Sequence, residues 1–281
     1  MPAFFIRGTA VQGMAGFPQE RQKTMSALGK QIRLKRIFRH PSGRILAVAA
    51  DHMINYRGGI PEGLRNIGAT IREIVEAGPS SITLNKGAAM RCFAPFAGRI
   101  PLIVQQMALT PDRPGYADHV EAEEAIAMGA DAIAVAILVK CEGDLDNLKR
   151  LATTVREGER LGLPVITHIY PITSKDGIPA VSTAPEDVFY AVRAGLEMGA
   201  DVIKAPYTGD VESFRDIVAS TPVPVVTAGG PKCDTLADAV AMMRDVVKSG
   251  AAGSTVGRNV WGFPNIKETI RQLKEALGIA D

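Results

Sequence analysis

Short apolar runs alternate with helix-like stretches along most of this sequence, and that alternation restricts the chain to a parallel α/β architecture. The runs cover residues 45–50, 81–87, 101–106, 132–139, 164–170, 202–207, 224–230 and 253–260. They are continuously apolar, as strands buried on both faces are. Helical stretches are expected at 64–76, about 120–128, 144–161, 185–198, 212–219, 236–248 and about 265–277. Pro185 opens one of these helices, a position that first turns allow. Met-Gly-Ala-Asp occurs both near 128 and near 198, which reads as a repeated helix-to-strand turn with glycine ending the helix. Eight strand signals in about 240 residues predict an α/β fold of the (β/α)8, or TIM barrel, type, with a doubly wound open sheet as the alternative.

Residues 1–40 fall outside this rhythm and read as an N-terminal extension, leaving 41–281 as the barrel domain. A helix is expected over about 19–28, followed by a basic run of Lys30, Arg33, Lys35, Arg36 and Arg39. That run offers a phosphate or partner surface in one reading and a solvated face or subunit contact in the other, and the second is the commoner role of such runs.

A barrel of this kind carries its chemistry at the C-terminal ends of its strands. Those ends supply Asp51 and His52, Asn85 and Lys86, Gln105 and Gln106, His168 and Tyr170, Lys204 with Tyr207 beyond it, Gly229 and Gly230, and Gly257 with Arg258 and Asn259. Lys204 is the unusual one. An ammonium at the end of a buried strand must be solvated, paired or partly deprotonated. A free amine there can attack a carbonyl and form a Schiff base; the plainer alternative is an ion pair at the barrel rim. Gly229-Gly230 and Gly257-Arg258 follow the seventh and eighth strands, where barrels often bind phosphate through backbone N–H groups. Arg258 adds a charge-assisted contact.

With a phosphate beside Lys204, Tyr170 is placed to shuttle protons and Asp51 to hold or deprotonate a substrate hydroxyl. Asp51 could instead pair with Lys204, and Tyr170 could be a core residue. His52 is a second acid/base or a rim residue, and His168 a substrate contact or a packing residue. Lys86 reads as an ion-pair partner rather than a second nucleophile.

A formal charge of +2 gives no electrostatic case for nucleic acid or membrane. No stretch reaches the ~20 apolar residues of a membrane span, and the N-terminal apolar run is too short for a signal peptide. Cys92, Cys141 and Cys233 show no metal or redox spacing, which fits a reducing cytoplasmic location.

Three stretches carry a resemblance: Gly-Ala-Asp-Val-Ile-Lys-Ala-Pro-Tyr-Thr-Gly-Asp from Gly199, Ala-Gly-Gly-Pro-Lys from Ala228, and Gly-Ala-Ala-Gly-Ser-Thr-Val-Gly-Arg-Asn-Val from Gly250. They resemble the archaeal-type class I fructose-bisphosphate aldolases and their wider group, the aminodideoxyheptulosonate synthases and the autoinducer-2 phosphate thiolases. The resemblance runs from about Arg44 to the C-terminus. It implies a Schiff-base lysine at Lys204, an acid/base tyrosine at Tyr170, an aspartate at Asp51, and phosphate binding at Gly229, Gly230, Gly257 and Arg258. It also implies no metal or cofactor, since the iminium is the electron sink, and a homo-oligomer, a ring-based decamer among the forms.

The sequence departs from the pattern in places. Asp51-His52-Met53 stands where the group usually has Asp-His-Gly, and Tyr170-Pro171-Ile172-Thr173 where it usually has Tyr-Pro-Arg-Gly. His168 replaces a tryptophan of the archaeal aldolases. Lys175 and Arg57 are the cations available to substitute for the missing arginine. The expected function is a class I aldolase making or breaking a carbon–carbon bond in a phosphorylated ketose. A transaldolase-type synthase or a thiolase is the first alternative, and a non-catalytic phosphate-binding barrel the second.

Overall fold

The computed structural model describes residues 17–52, 59–110 and 113–280, with the backbone alone at 17–24, 109–110 and 113–116. Met53 and Arg57 lie outside the described residues.

The chain opens with α1 (Phe17–Ile37) and enters the barrel at β1 (Ile45–Ala49). Two helices, α2 (Glu62–Arg65) and α3 (Ile67–Glu76), lead to β2 (Ser81–Asn85). A short α4 (Lys86–Ala88) then runs into a π-helical turn (Ala89–Phe93) and a 3-10 turn (Ala94–Phe96) before β3 (Leu102–Gln105). The hairpin β4 (Met107–Thr110) and β5 (Arg113–Asp118) follows, then α5 (Ala122–Ala127) and β6 (Ala132–Val139). Helix α6 (Asp144–Leu161) precedes β7 (Val165–Lys175), which turns back on itself as β8 (Ile178–Val181). The rest alternates regularly: α7 (Pro185–Glu197), β9 (Val202–Pro206), α8 (Val211–Ala219), β10 (Val225–Ala228), α9 (Leu236–Lys248) and β11 (Gly253–Val256). A short α10 (Arg258–Trp261) and α11 (Ile266–Leu277) close the chain.

Eight strands pair in parallel in the order β6-β3-β2-β1-β11-β10-β9-β7, and β7 also pairs with β6. The sheet therefore closes on itself, which makes it the (β/α)8 barrel expected from the apolar runs and rules out the open sheet. The closed ladder leaves no free edge among these strands.

Two buried clusters follow from the two-residue period of the strands. Val48, Leu84, Ile137, Ile203 and Val256 face the helices. Ala47, Ile103, Ala134, Ile166, Val202 and Val226 face inward, and Ile37 of α1 joins them fully buried. Helix α1 thus plugs the N-terminal end of the barrel. Lys30 reaches Asp201 at 2.8 Å and Glu159 at 2.5 Å, Arg33 donates to the Gly162 carbonyl at 3.0 Å, and Arg36 pairs with Asp131 at 3.2 Å.

The sequence reading needs correction in several elements. Helix α1 continues past 28 to Ile37. Gly29, one residue past the expected end, is where the helix meets Gly162: a Cβ on Gly29 would lie 3.3 Å from the Gly162 carbonyl. Part of the basic run is accordingly pinned to the barrel rather than solvated. The helix expected at 64–76 breaks at Asn66, whose side chain caps the second half by accepting from Ala69 N. The run 253–260 stops being a strand at Val256 and turns helical at Arg258. The two hairpins and the helical segment after β2 have no counterpart in the sequence reading.

Candidate active site

Strand alternation decides which polar side chains enter the barrel. On β9, Val202 faces inward and Ile203 faces the helices, so Lys204 faces inward, 5% exposed. Its neighbour in register on β7 is His168, itself 4% exposed. Tyr170 lies two residues further along β7, on the same face, half-buried and nearer the mouth. Asp51 and His52 come directly after β1, with the Asn85 side chain donating to the Asp51 carbonyl at 2.9 Å. The structure therefore brings Lys204, His168, Asp51 and His52 to the C-terminal end of one barrel interior.

Electrostatics ties these groups together. Burial is the largest single influence and works to raise the Asp51 carboxyl, but His52, Lys204 and His168 together outweigh it and hold the group below the usual carboxylate range. His52 Nδ1 stands 3.1 Å from Asp51 Oδ1, at ion-pair distance without hydrogen-bond alignment. His168 moves well below its ordinary 6.5, first through burial and then through the Lys204 cation, which together override the opposing pull of Asp51. The imidazole beside the lysine is thus neutral near pH 7. Lys204 has no hydrogen bond or ion pair among the described residues, so the rim ion pair considered from sequence is absent there. Lys86 pairs with Glu124, as the sequence suggested.

The two glycine stretches sit side by side above β10 and β11. Gly229 donates its N–H to the Thr255 carbonyl at 2.9 Å, so that donor belongs to the barrel ladder. The backbone N–H groups of Gly230 and Gly257 have no partner among the described residues. Gly230 has a φ of +65°, which favours glycine. At Gly257 the constraint is space: a Cβ would come within 2.5 Å of His52 Cε1 and 2.9 Å of the Ala49 carbonyl. Asn259, 1% exposed, locks the two loops together. Its Nδ2 donates to the Gly229 and Pro231 carbonyls at 2.8 and 2.9 Å, and its Oδ1 accepts from Cys233 N at 2.7 Å. Arg258 opens α10 and, with Lys232, lines a cleft of about 810 Å³ running toward α2 and α3.

Asn259, Asn85 and Trp261 are positioning residues that the sequence reading gave no role. Trp261 donates Nε1–H to the Ala49 carbonyl at 3.0 Å and meets the His52 ring edge-on at 5.7 Å between centroids. The available signals were an asparagine directly after the Gly-Arg pair and the chain's single tryptophan nearby.

The DeoC/LacD family aldolase profile matches residues 45–262, the span that builds the barrel and both glycine loops. The chain belongs to this family. A 2-amino-3,7-dideoxy-D-threo-hept-6-ulosonate synthase of Halobacterium salinarum is 35% identical over 241 residues, covering 84% of this chain and 87% of that protein. A class 1 fructose-bisphosphate aldolase of Thermoproteus tenax is 31% identical over 242 residues, covering 83% and 89%. An archaeal fructose-1,6-bisphosphate aldolase, solved with its catalytic lysine covalently bound to the carbinolamine intermediate of its substrate, matches at a TM-score of 0.77. It is 29% identical and covers 88% of this chain and 99% of its own. This aldolase is accordingly an enzyme of the class I, Schiff-base kind, which removes the non-catalytic barrel from the readings. Among the described residues no helix is long and apolar enough to cross a membrane.

Proposed function

We propose that the enzyme makes or breaks a carbon–carbon bond in a phosphorylated ketose, with Lys204 as its Schiff-base nucleophile. The observation that carries this is an inward lysine, 5% exposed and without an ion-pair partner among the described residues, level with a neutral His168. The phosphate is received by the N–H groups of Gly230 and Gly257, with Gly229 shaping the loop and Arg258 supplying charge from its edge.

Lys204 Nζ, as the free amine, adds to the ketose carbonyl, and Tyr170 relays the protons needed for water to leave the carbinolamine. The scissile bond then breaks toward the iminium, whose nitrogen takes up the electron pair, while the hydroxyl proton leaves to a base. Protonation of the enamine and hydrolysis restore the lysine. Asp51, held ionised, is a weak proton acceptor but a good hydrogen-bond acceptor. We assign it to holding the hydroxyl and countering the iminium, and the hydroxyl proton to the Asp51–His52 pair acting together.

The test is borohydride reduction in the presence of fructose 1,6-bisphosphate, followed by peptide mapping. The expected result is a stable adduct on Lys204, with Lys204→Met losing the adduct and about 10³-fold or more in kcat. Absence of an adduct with any phosphorylated ketose would overturn the assignment.

A second reading, transfer to an acceptor as in the heptulosonate synthases, is favoured by the mouth. Ile172 occupies the place of the expected arginine and begins a hairpin, Ile172 to Val181, built on an Asp176-Gly177 turn. Lys175 is part of that hairpin. Comparing cleavage of fructose 1,6-bisphosphate with transfer to added aldehydes separates the two.

The proposal includes a homo-oligomer, ring-based in its fullest form, in the cytoplasm. Met25, Leu28 and Ile32 stand exposed at helical spacing on one side of α1, an apolar stripe suited to a subunit contact. The unpaired Cys92, Cys141 and Cys233 suit a reducing compartment. Sedimentation velocity reads the oligomeric state.

A further inference from the structure

At the opposite end of the barrel from Lys204 lies a cleft of about 1000 Å³, between the last turns of α1 and the segment joining β2 to β3. Its floor is apolar, with Met90, Phe93, Ile100, Leu102 and Met128 among its residues. Its rim is cationic: Lys35 and Arg36 from the last turn of α1, Arg39 from the segment just after that helix, and Arg99 from the loop before β3. One carboxylate, Asp131, also lines it, and that group is already engaged by Arg36 at 3.2 Å and by Leu102 N at 3.3 Å. Lys35, Arg39 and Arg99 have no hydrogen bond or ion pair from their side chains among the described residues. Arg99 is near enough to Glu76 to help lower that carboxyl, but Glu76 is itself paired with Lys267 at 2.6 Å. Cations that make no ion pair of their own around an apolar floor form an arrangement that the fold itself does not require. The wall between them includes the π-helical turn Ala89–Phe93, a geometry that recurs at functional sites.

We propose that this cleft is a second, non-catalytic binding site for a small amphipathic anion, a phosphomonoester carried on an apolar body. The floor takes the body, and the cations take the charge through contacts that Arg39 and Arg99 are able to make in bidentate fashion. A cavity of this size matches a ligand of metabolite dimensions. The site also has a physical route to the catalytic end. The segment that walls it begins at Asn85 and Lys86, which hold the Asp51 carbonyl and Glu124. An occupant would brace that segment along its length. The proposal stands independently of the reaction assigned to Lys204.

The test uses 1-naphthyl phosphate as probe on the full-length protein, read by calorimetric titration and by hydrogen–deuterium exchange. The expected result is exchange protection in residues 33–39 and 86–100, together with an affinity that falls as salt rises. The double variant Arg39→Glu/Arg99→Glu should weaken that binding at least tenfold and abolish the protection. Protection around residues 229–258 should stay as in the wild type. Because both arginines are exposed, an unchanged melting temperature shows that the variant is folded. Protection confined to 229–258, equal binding by the double variant, or equal binding of uncharged 1-naphthol would each overturn the proposal. So would failure of the probe to bind while self-association of the chain is lost in the double variant, which would make the cleft a contact between copies.

Discussion

Asn259 shows how much of this site depends on side chains that do no chemistry. One buried amide holds Gly229, Pro231 and Cys233 in place through three hydrogen bonds. Replacing it with alanine leaves those backbone groups unpaired, at a cost of about 1–3 kcal/mol. We expect Asn259→Ala to raise KM for a phosphorylated substrate about tenfold while kcat changes much less, because the loops rather than the lysine are loosened. Steady-state kinetics separates the two parameters. His168 makes a different prediction. Its folded-state pKa lies below its ordinary 6.5, so the unfolded chain takes up a proton first as pH falls. Stability therefore declines from about pH 6.5 downward, by up to ~1.4 kcal/mol per pH unit for this one group. Asp51, also depressed, contributes stability that is present above about 3.8 and is lost as pH falls below it. Urea titrations between pH 7 and pH 5 should show the first decline, and His168→Gln should flatten it. As candidates, Lys204, Asp51 and Tyr170 stand out in the sequence because they are polar residues at the ends of apolar runs. Asn259 stood out only as a strand-end residue and Trp261 not at all, since the positioning role of each is defined by a partner that only the closed barrel brings near.

At the scale of elements, the eight strands were readable because each carries a short run that is mostly apolar or small and is buried on both faces, as strands of a doubly covered sheet are. The hairpins were not. Strand β7 leaves the barrel at its far end and continues as a solvent-exposed arm, where the apolar signal stops although the strand does not. The Asp176-Gly177 pair is a hairpin-turn signature that could have revealed it. Helix α1 was read as ending near 28, but Gly29 does not end it: its missing side chain allows the helix to lie against Gly162 and continue to Ile37. The helix is held there largely by Lys30, 7% exposed, against Asp201 and Glu159. Asp201 also accepts from Val165 N at 2.8 Å, so the lysine braces the bases of β7 and β9 together. Removing one partner of such a pair strands the other. We expect Lys30→Met to cost about 3 kcal/mol in urea denaturation and to leave the fold otherwise unchanged.

For the molecule as a whole, the closed sheet, the inward alanines and the plug close one end of the barrel among the described residues. Ile37 fills the base against Ala47, Ala134 and Val202, beneath the layer that carries Lys204. A compound tethered to that lysine has a floor under it and one doorway above. Whatever is released when the bond breaks shares that doorway with the incoming substrate. The fragment on the doorway side must depart before the fragment on nitrogen can be freed and follow it. Under the chemistry proposed for Lys204, the closed base thereby sets an order of departure, the doorway-side fragment first.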